Sequence, residues 1–102
     1  MDTPAVIEMY EQIADAIKVR ERLRKAQEHY WGCQRAVTEA KRIERAIAKQ
    51  IAIDTIKGRT DLGLQPMKDA LRRAIIETQF QTALAVGAWE VVQDLERRLK
   101  PT

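Results

Sequence analysis

Apolar residues recur at intervals of three and four along most of this chain, which is the spacing of one face of an α-helix. A first series occupies the seam positions Val19, Leu23, Ala26, Tyr30, Cys33, Val37, Ala40, Ile47 and Ile51. A second series with the same spacing consists of Met67, Leu71, Ala74, Thr78, Gln81, Ala85, Ala88, Val92, Leu95 and Leu99. Repeats close to 3.5 residues favour a left-handed supercoil. The pattern therefore predicts an all-α, coiled-coil-like fold.

Capping and breaking residues place the ends of the helices. Thr3-Pro4 is typical of a helix start, and Gly58 is typical of the residue just after a helix end. Gly32 does not shift the phase of the apolar series, so we expect the first helix to run through it. Two glycines and a proline in 58–66 indicate a loop. We predict one helical domain over 1–102, a long antiparallel hairpin with helices at about 4–57 and about 66–99.

Both helices carry apolar faces that a lone hairpin cannot cover. Residues 78–89 include no charged side chain, and the second helix, by its length, should reach back only to about residue 25. A kink near residue 18 could fold residues 4–17 back as a third helix. We favour self-association into a four-helix or larger bundle. The candidate self-association surface comprises Val6, Tyr10, Ile13, Ile17, Ile76, Phe80, Leu84 and Val91.

The composition narrows the class of protein. The 102 residues are 45% hydrophobic and 32% charged, with a net charge of +3. One cysteine points to a reducing compartment. No secretory signal and no apolar run of membrane-spanning length stand out, so we expect a cytoplasmic protein without a membrane partner.

The charges are unevenly distributed, and this suggests a second surface. Residues 1–17 carry four acids and no base, whereas 18–49 carry ten bases and four acids. A basic stripe with an aromatic residue suits the phosphates and bases of nucleic acid. Such a stripe is more often a solvated helix face, or the surface that a protein partner covers. The candidate nucleic-acid or partner surface comprises Arg20, Arg24, Trp31, Arg35, Arg42, Arg45 and Lys49.

Few residues offer chemistry. His29 and Cys33, the only histidine and the only cysteine, are spaced as half of a zinc site, but packing is the simpler interpretation. The chain has no serine, and 58–63 lacks the Gly-Lys-Ser/Thr end of a phosphate-binding loop. We predict no catalytic, metal-binding or cofactor-binding residues. The expected function is that of a non-catalytic structural or adaptor protein that forms homo-oligomers of two or more chains, with a heterologous protein as another partner. A nucleic-acid-binding protein is the alternative.

Overall fold

Two long helices make up the fold. The structure, a computed structural model, describes residues 3–100 and contains α1 (Thr3–Ile56) and α2 (Asp61–Leu99), with no strand in that range. The helices pack side by side as an antiparallel hairpin that measures 87 × 19 × 14 Å. The prediction of an all-α helical hairpin is confirmed.

α1 is uninterrupted over its whole length. It passes through Gly32, as the phase of the apolar series predicts, because a glycine within a helix costs only about 1 kcal/mol relative to alanine. It also passes through Lys18 as regular helix. The alternative of a kink near residue 18 is therefore wrong, and residues 4–17 do not form a third helix.

The contact between the helices follows the predicted seam. Every predicted seam position on both helices is buried or half-buried. At the centre, Cys33 and Val37 of α1 pack with Ala85 and Ala88 of α2. Small side chains let two helices approach closely. The hairpin core is therefore one narrow row of side chains, and the other faces of both helices remain on the surface.

An aromatic pair beside this row aligns the two helices. The rings of Tyr30 and Trp89 lie 5.0 Å apart between centroids, at an angle of 43°. Gln34 Nε2 donates a hydrogen bond to the Tyr30 hydroxyl at 2.6 Å. Tilted aromatic pairs at this separation add stabilisation beyond the area they bury. The contact places Tyr30 opposite Trp89, which fixes which residues of α1 and α2 are neighbours.

The end of α1 is a Schellman motif centred on Gly58. Gly58 has a φ of 87°, the left-handed conformation that side chains disfavour. Its amide donates to the carbonyl of Thr55 and the Arg59 amide donates to the carbonyl of Asp54, both at 3.0 Å. This is the bond pattern of that motif. The prediction that Gly58 follows the end of the first helix is confirmed.

α2 begins at Asp61, five residues before the predicted start at 66, so the expected loop 58–66 is wrong. Thr60 is the N-cap, since its hydroxyl accepts a hydrogen bond from the Gly63 amide at 3.2 Å. Pro66 lies within the helix and lacks the amide that would bond the Leu62 carbonyl. Leu62 itself is 86% exposed. The connection is only residues 57–60.

A buried carboxylate joins the turn to α1. Asp54 is 8% exposed and accepts hydrogen bonds from Gln50 Nε2 and from Arg59 Nη1, each at 3.0 Å. Leu64, in the first turns of α2, is 2% exposed. Neither residue belongs to the predicted seam, and Leu64 fell within the expected loop.

Two glycine substitutions should have opposite effects on stability. Gly58→Ala should lower the free energy of unfolding by about 1 kcal/mol, because alanine resists a positive φ. Gly87→Ala should raise it by about 0.5–1 kcal/mol, since Gly87 is helical and no atom lies within 4 Å of an added Cβ. Urea unfolding followed by circular dichroism at one protein concentration measures both. Equal effects of the two changes would contradict the assignment of the turn.

Candidate interaction surfaces

The N-terminal part of α1 extends beyond the end of α2. Arg98, one residue from the end of α2, lines the same groove as Arg22. The sequence predicts that α2 reaches back to about residue 25 of α1. In the structure α2 reaches about one helical turn closer to the start of α1, because the connection is shorter than predicted. Residues 3–18 have no α2 residue beside them, and we call this segment the overhang. It is about 24 Å long at 1.5 Å per residue.

The overhang presents large apolar side chains to solvent. Val6 is half-buried, whereas Tyr10, Ile13 and Ile17 are 67%, 51% and 60% exposed. Ile7 and Met9 are also about half exposed. Isolated exposed apolar residues are ordinary, but a contiguous group marks an interaction site. The overhang half of the candidate self-association surface therefore lies open on the hairpin.

The other half of that surface lies on α2, on a flank that the seam with α1 leaves exposed. Ile76, Phe80, Leu84 and Val91 follow one another at helical spacing and are between 45% and 63% exposed. We call these four residues the outer stripe. Because Tyr30 lies opposite Trp89, Ile76 and Ile17 are separated by about 40 Å along the hairpin axis. The overhang and the far end of the outer stripe of one chain cannot touch each other.

A shallow groove runs between the helices on the side of the outer stripe. Its walls include Ala26 and His29 of α1, together with Ala83, Leu84, Gly87 and Val91 of α2. We call this the α2 groove. Because Gly87 and the alanines have no side chain or a small one, the bottom of the groove lies close to the helix backbones. Towards the end of α2 it continues between charged side chains, which are Arg22, Lys25, Glu90, Asp94 and Arg98. Gly87 faces open space, since no atom lies within 4 Å of where a Cβ would be.

The basic stripe is exposed along its whole length, and part of its charge is already paired. Arg24 forms ion pairs with Glu21 at 2.7 Å and Glu28 at 2.6 Å. Arg42 pairs with Glu39 at 2.7 Å. These hydrogen-bonded pairs lower the pKa of Glu21 and Glu39 and raise the pKa of both arginines. Exposed pairs of this kind add little stability.

Four members of the stripe keep their charge available. Within residues 3–100, Arg20, Arg35, Arg45 and Lys49 form no ion pair. Trp31 is 57% exposed, and over the same residues the one aromatic pair is Tyr30 with Trp89. The structure therefore places all seven predicted residues on the surface. Tyr30, the seam residue next to Trp31, is the aromatic residue of α1 that contacts α2. Its partner on α2, Trp89, was not identified from the sequence.

His29 and Cys33 are close to each other but belong to the packing of the hairpin. His29 Nε2 lies 3.7 Å from Cys33 Sγ, and Cys33 is buried in the central row. Among residues 3–100 no three His, Cys, Asp or Glu side chains cluster as metal ligands would. Cys33 is thus a residue of the central row, and His29 lies exposed beside it.

Comparisons with known proteins give no relative. The chain matches no protein-family model, no curated protein and no solved structure. Across the described residues, neither helix has a stretch apolar enough to cross a membrane. The class of the protein is thus defined by its fold alone, as a two-helix antiparallel hairpin with open apolar faces.

The burial of Cys33 predicts slow thiol chemistry. In the folded chain, Cys33 should react with a maleimide at least about 10-fold more slowly than in urea, because reaction requires local opening of the hairpin. The matched control is Cys33→Ala with Thr38→Cys, which moves the thiol to an exposed position of the same helix. Mass spectrometry over time gives both rates. A native Cys33 that reacts as fast as the control would contradict its place in the central row.

Proposed function

We propose that this protein is a non-catalytic structural or adaptor protein that self-associates through its exposed apolar helix faces. The assembled form would be a bundle of four or more helices with coiled-coil-like packing, built from two or more hairpins. A heterologous protein is a further partner for the assembled form. The lone cysteine suits a reducing compartment, and we propose the cytoplasm as the place of action.

The observation that carries this proposal is the amount of surface that one chain leaves exposed. The hairpin exposes 8087 Å², whereas a folded monomer of 11.7 kDa exposes about 5,900 Å². Burying this excess of about 2,200 Å² on each chain of a dimer would remove about 4,400 Å² in total, which lies within the roughly 2,000–5,000 Å² that permanent homodimer interfaces bury. Association would return the surface of each chain to the usual range.

The distribution of apolar side chains supports self-association over further folding of the single chain. α1 is continuous, so the overhang cannot turn back onto the hairpin that carries it. The outer stripe stays between 45% and 63% exposed, although Leu84 and Val91 border the groove between α2 and α1. Each chain therefore presents two apolar faces, and neither can be covered without a second molecule.

We expect the purified, nuclease-treated protein to have at least twice the 11.7 kDa mass of one chain by light scattering. The mass should persist at high salt, because apolar association does not depend on charge. Ile13→Glu should reduce it to that of one chain, since a charge would have to leave water in the interface. Gln12→Glu adds the same charge at a neighbouring position outside the apolar series and should leave the mass unchanged.

The Ile13 variant tests association without touching the hairpin core, because Ile13 is 51% exposed and lies in the overhang. A wild-type protein that stays monomeric at concentrations of tens of micromolar would exclude self-association. The apolar faces would then require a different protein as their partner.

The second candidate function is nucleic-acid binding, favoured by one observation, the four unpaired cations of the basic stripe with the exposed Trp31 between them. In this case Arg35→Glu with Arg45→Glu should weaken binding to labelled DNA or RNA oligonucleotides. The salt dependence of log K should also become shallower by roughly 0.9 for each phosphate that the variant no longer neutralises. Fluorescence anisotropy at several salt concentrations measures both.

The proposed assembly function predicts a different result for the same double variant. Its mass by light scattering should equal that of the wild type, and neither protein should bind the oligonucleotides more tightly than the micromolar level of non-specific binding. Submicromolar binding that the charge reversal abolishes would establish the basic stripe as a nucleic-acid interface.

A further inference from the structure

We propose that the outer stripe of one chain packs against the outer stripe of a second copy, with the two α2 helices antiparallel. The two-fold axis would pass between residues 83 and 84, so residues equally far from this point on the two chains lie opposite each other. The α2 helices would then form the centre of a four-helix bundle, with the α1 helices outside. This inference rests on the proposed self-association and specifies the surface and the register.

α2 has a second apolar face, apart from its seam with α1. Besides the outer stripe, this face includes Ala83 and Gly87, and all six residues are exposed on the single hairpin. At about 100° per residue they span about 100° of the helix, centred about 150° from the buried Ala85. A helix that is apolar on two sides is typically buried on both. α1 covers one side, and a second α2 would cover the other.

The side-chain sizes match in this register. Phe80 comes opposite Gly87 of the second chain, and Ile76 comes opposite Val91. No atom lies within 4 Å of where a Cβ on Gly87 would be, so the space beside it is open to the Phe80 ring. A large residue facing a small one lets two helices approach closely. The gain in stability expected for Gly87→Ala therefore applies to the single hairpin, since in the pair its methyl group would face that ring.

The charged residues at both ends of the apolar contact are also complementary. Arg73 comes opposite Asp94 of the second chain, and Asp69 comes opposite Arg98. Arg73 forms no ion pair within residues 3–100, whereas Asp94 already pairs with Arg98 at 3.1 Å. The pairing would therefore bring together two acids and two bases of alternating sign at each end. Charges arranged in this way steer association and fix the register.

Two glutamates that come to the same level do not oppose the pairing. Glu77 lies level with Glu90 of the second chain, but the two positions are about 140° apart around the helix. In an antiparallel pair with a two-fold axis, each flank of a helix meets the same flank of its copy. Glu77 and Glu90 therefore lie on opposite sides of the contact.

Other arrangements of two α2 helices fit the charges less well. In a parallel pair each residue would meet its own copy, so Arg73 would face Arg73 and Asp94 would face Asp94. Shifting the antiparallel register by one heptad would put Phe80 opposite Asp94 in one direction and Asp69 opposite Val91 in the other. Each shift would bury a carboxylate against an apolar side chain, which is costly.

The overhang lies beyond the end of α2 and takes no part in this contact. It is left for a second contact within the assembly. In a bundle that uses both contacts, each contact strengthens the other, so loss of either should release single chains at micromolar concentrations.

The test uses two charge reversals, Arg73→Asp and Asp94→Arg. Both side chains are exposed on the hairpin, so neither change should disturb the seam. In a pair of identical variant chains, like charges would face each other at both ends of the contact. Each variant alone should therefore have a dissociation constant raised at least about 30-fold.

Mixing the two variants is the decisive step. The Arg73→Asp chain presents an acid to the new base of the Asp94→Arg chain, and the native Arg73 of the latter faces the native Asp94 of the former. Both ends of the contact are then complementary again. We expect an equimolar mixture to form complexes with equal numbers of the two chains, at concentrations where each variant alone is monomeric. Native mass spectrometry identifies them by mass.

The matched control is Arg45→Asp, which makes the same change of charge on the exposed basic stripe of α1. It should associate as the wild type does. Circular dichroism of each variant checks that the helices are retained, so that a monomeric variant is not simply an unfolded one.

The outcomes separate this inference from the proposed function. If the wild type associates and Arg73→Asp associates equally well, the pairing of the outer stripes is overturned and self-association stands. The same holds if the mixture associates no better than either variant alone. If the wild type itself is monomeric, both are overturned.

Discussion

The constraint on which this structure depends is that two helices can bury only one face of each other. The seam between α1 and α2 is one row of small and medium side chains around Cys33, Val37, Ala85 and Ala88. In most helical proteins, third and fourth helices cover the remaining apolar sides. Here the chain has no further helix to supply within the described residues, and its excess of exposed surface follows directly.

The tight turn determines how the two helices are aligned, and so which part of α1 is left uncovered. Gly58 ends α1, Thr60 caps α2, and Asp54 holds Arg59 across the connection. The Schellman motif usually places an apolar pair where this ion pair lies. A connection of four residues brings the end of α2 beside Arg22. The longer loop expected from the sequence would have shifted the pairing and lengthened the overhang by about one turn.

The parts of the fold that could be predicted from the sequence are those governed by periodicity. The seam positions, the passage of α1 through Gly32 and the position of Gly58 all follow from spacing or from one strong local preference. The start of α2 could not be found this way, because Pro66 suggests a helix start more strongly than Thr60 does. Thr60-Asp61 nevertheless matches the residue preferences of a helix N-cap and first turn. The α2 groove could not be predicted either. It depends on which side of Gly87 faces open space, and this is known only once the alignment of the two helices is known.

The apolar face of α1 moves to the opposite side of the helix beyond the point where α2 ends. This change affects how a second chain can approach α1. Along the hairpin the apolar residues of α1 face α2, and the opposite face is basic from Arg20 onward. In the overhang that opposite face becomes apolar, at Tyr10, Ile13 and Ile17, while Gln12 and Ala16 occupy the phase of the seam. End-to-end stacking of hairpins would require the seam to continue in the same phase. A change of side instead suits a partner that lies alongside α1, on the face away from its own α2.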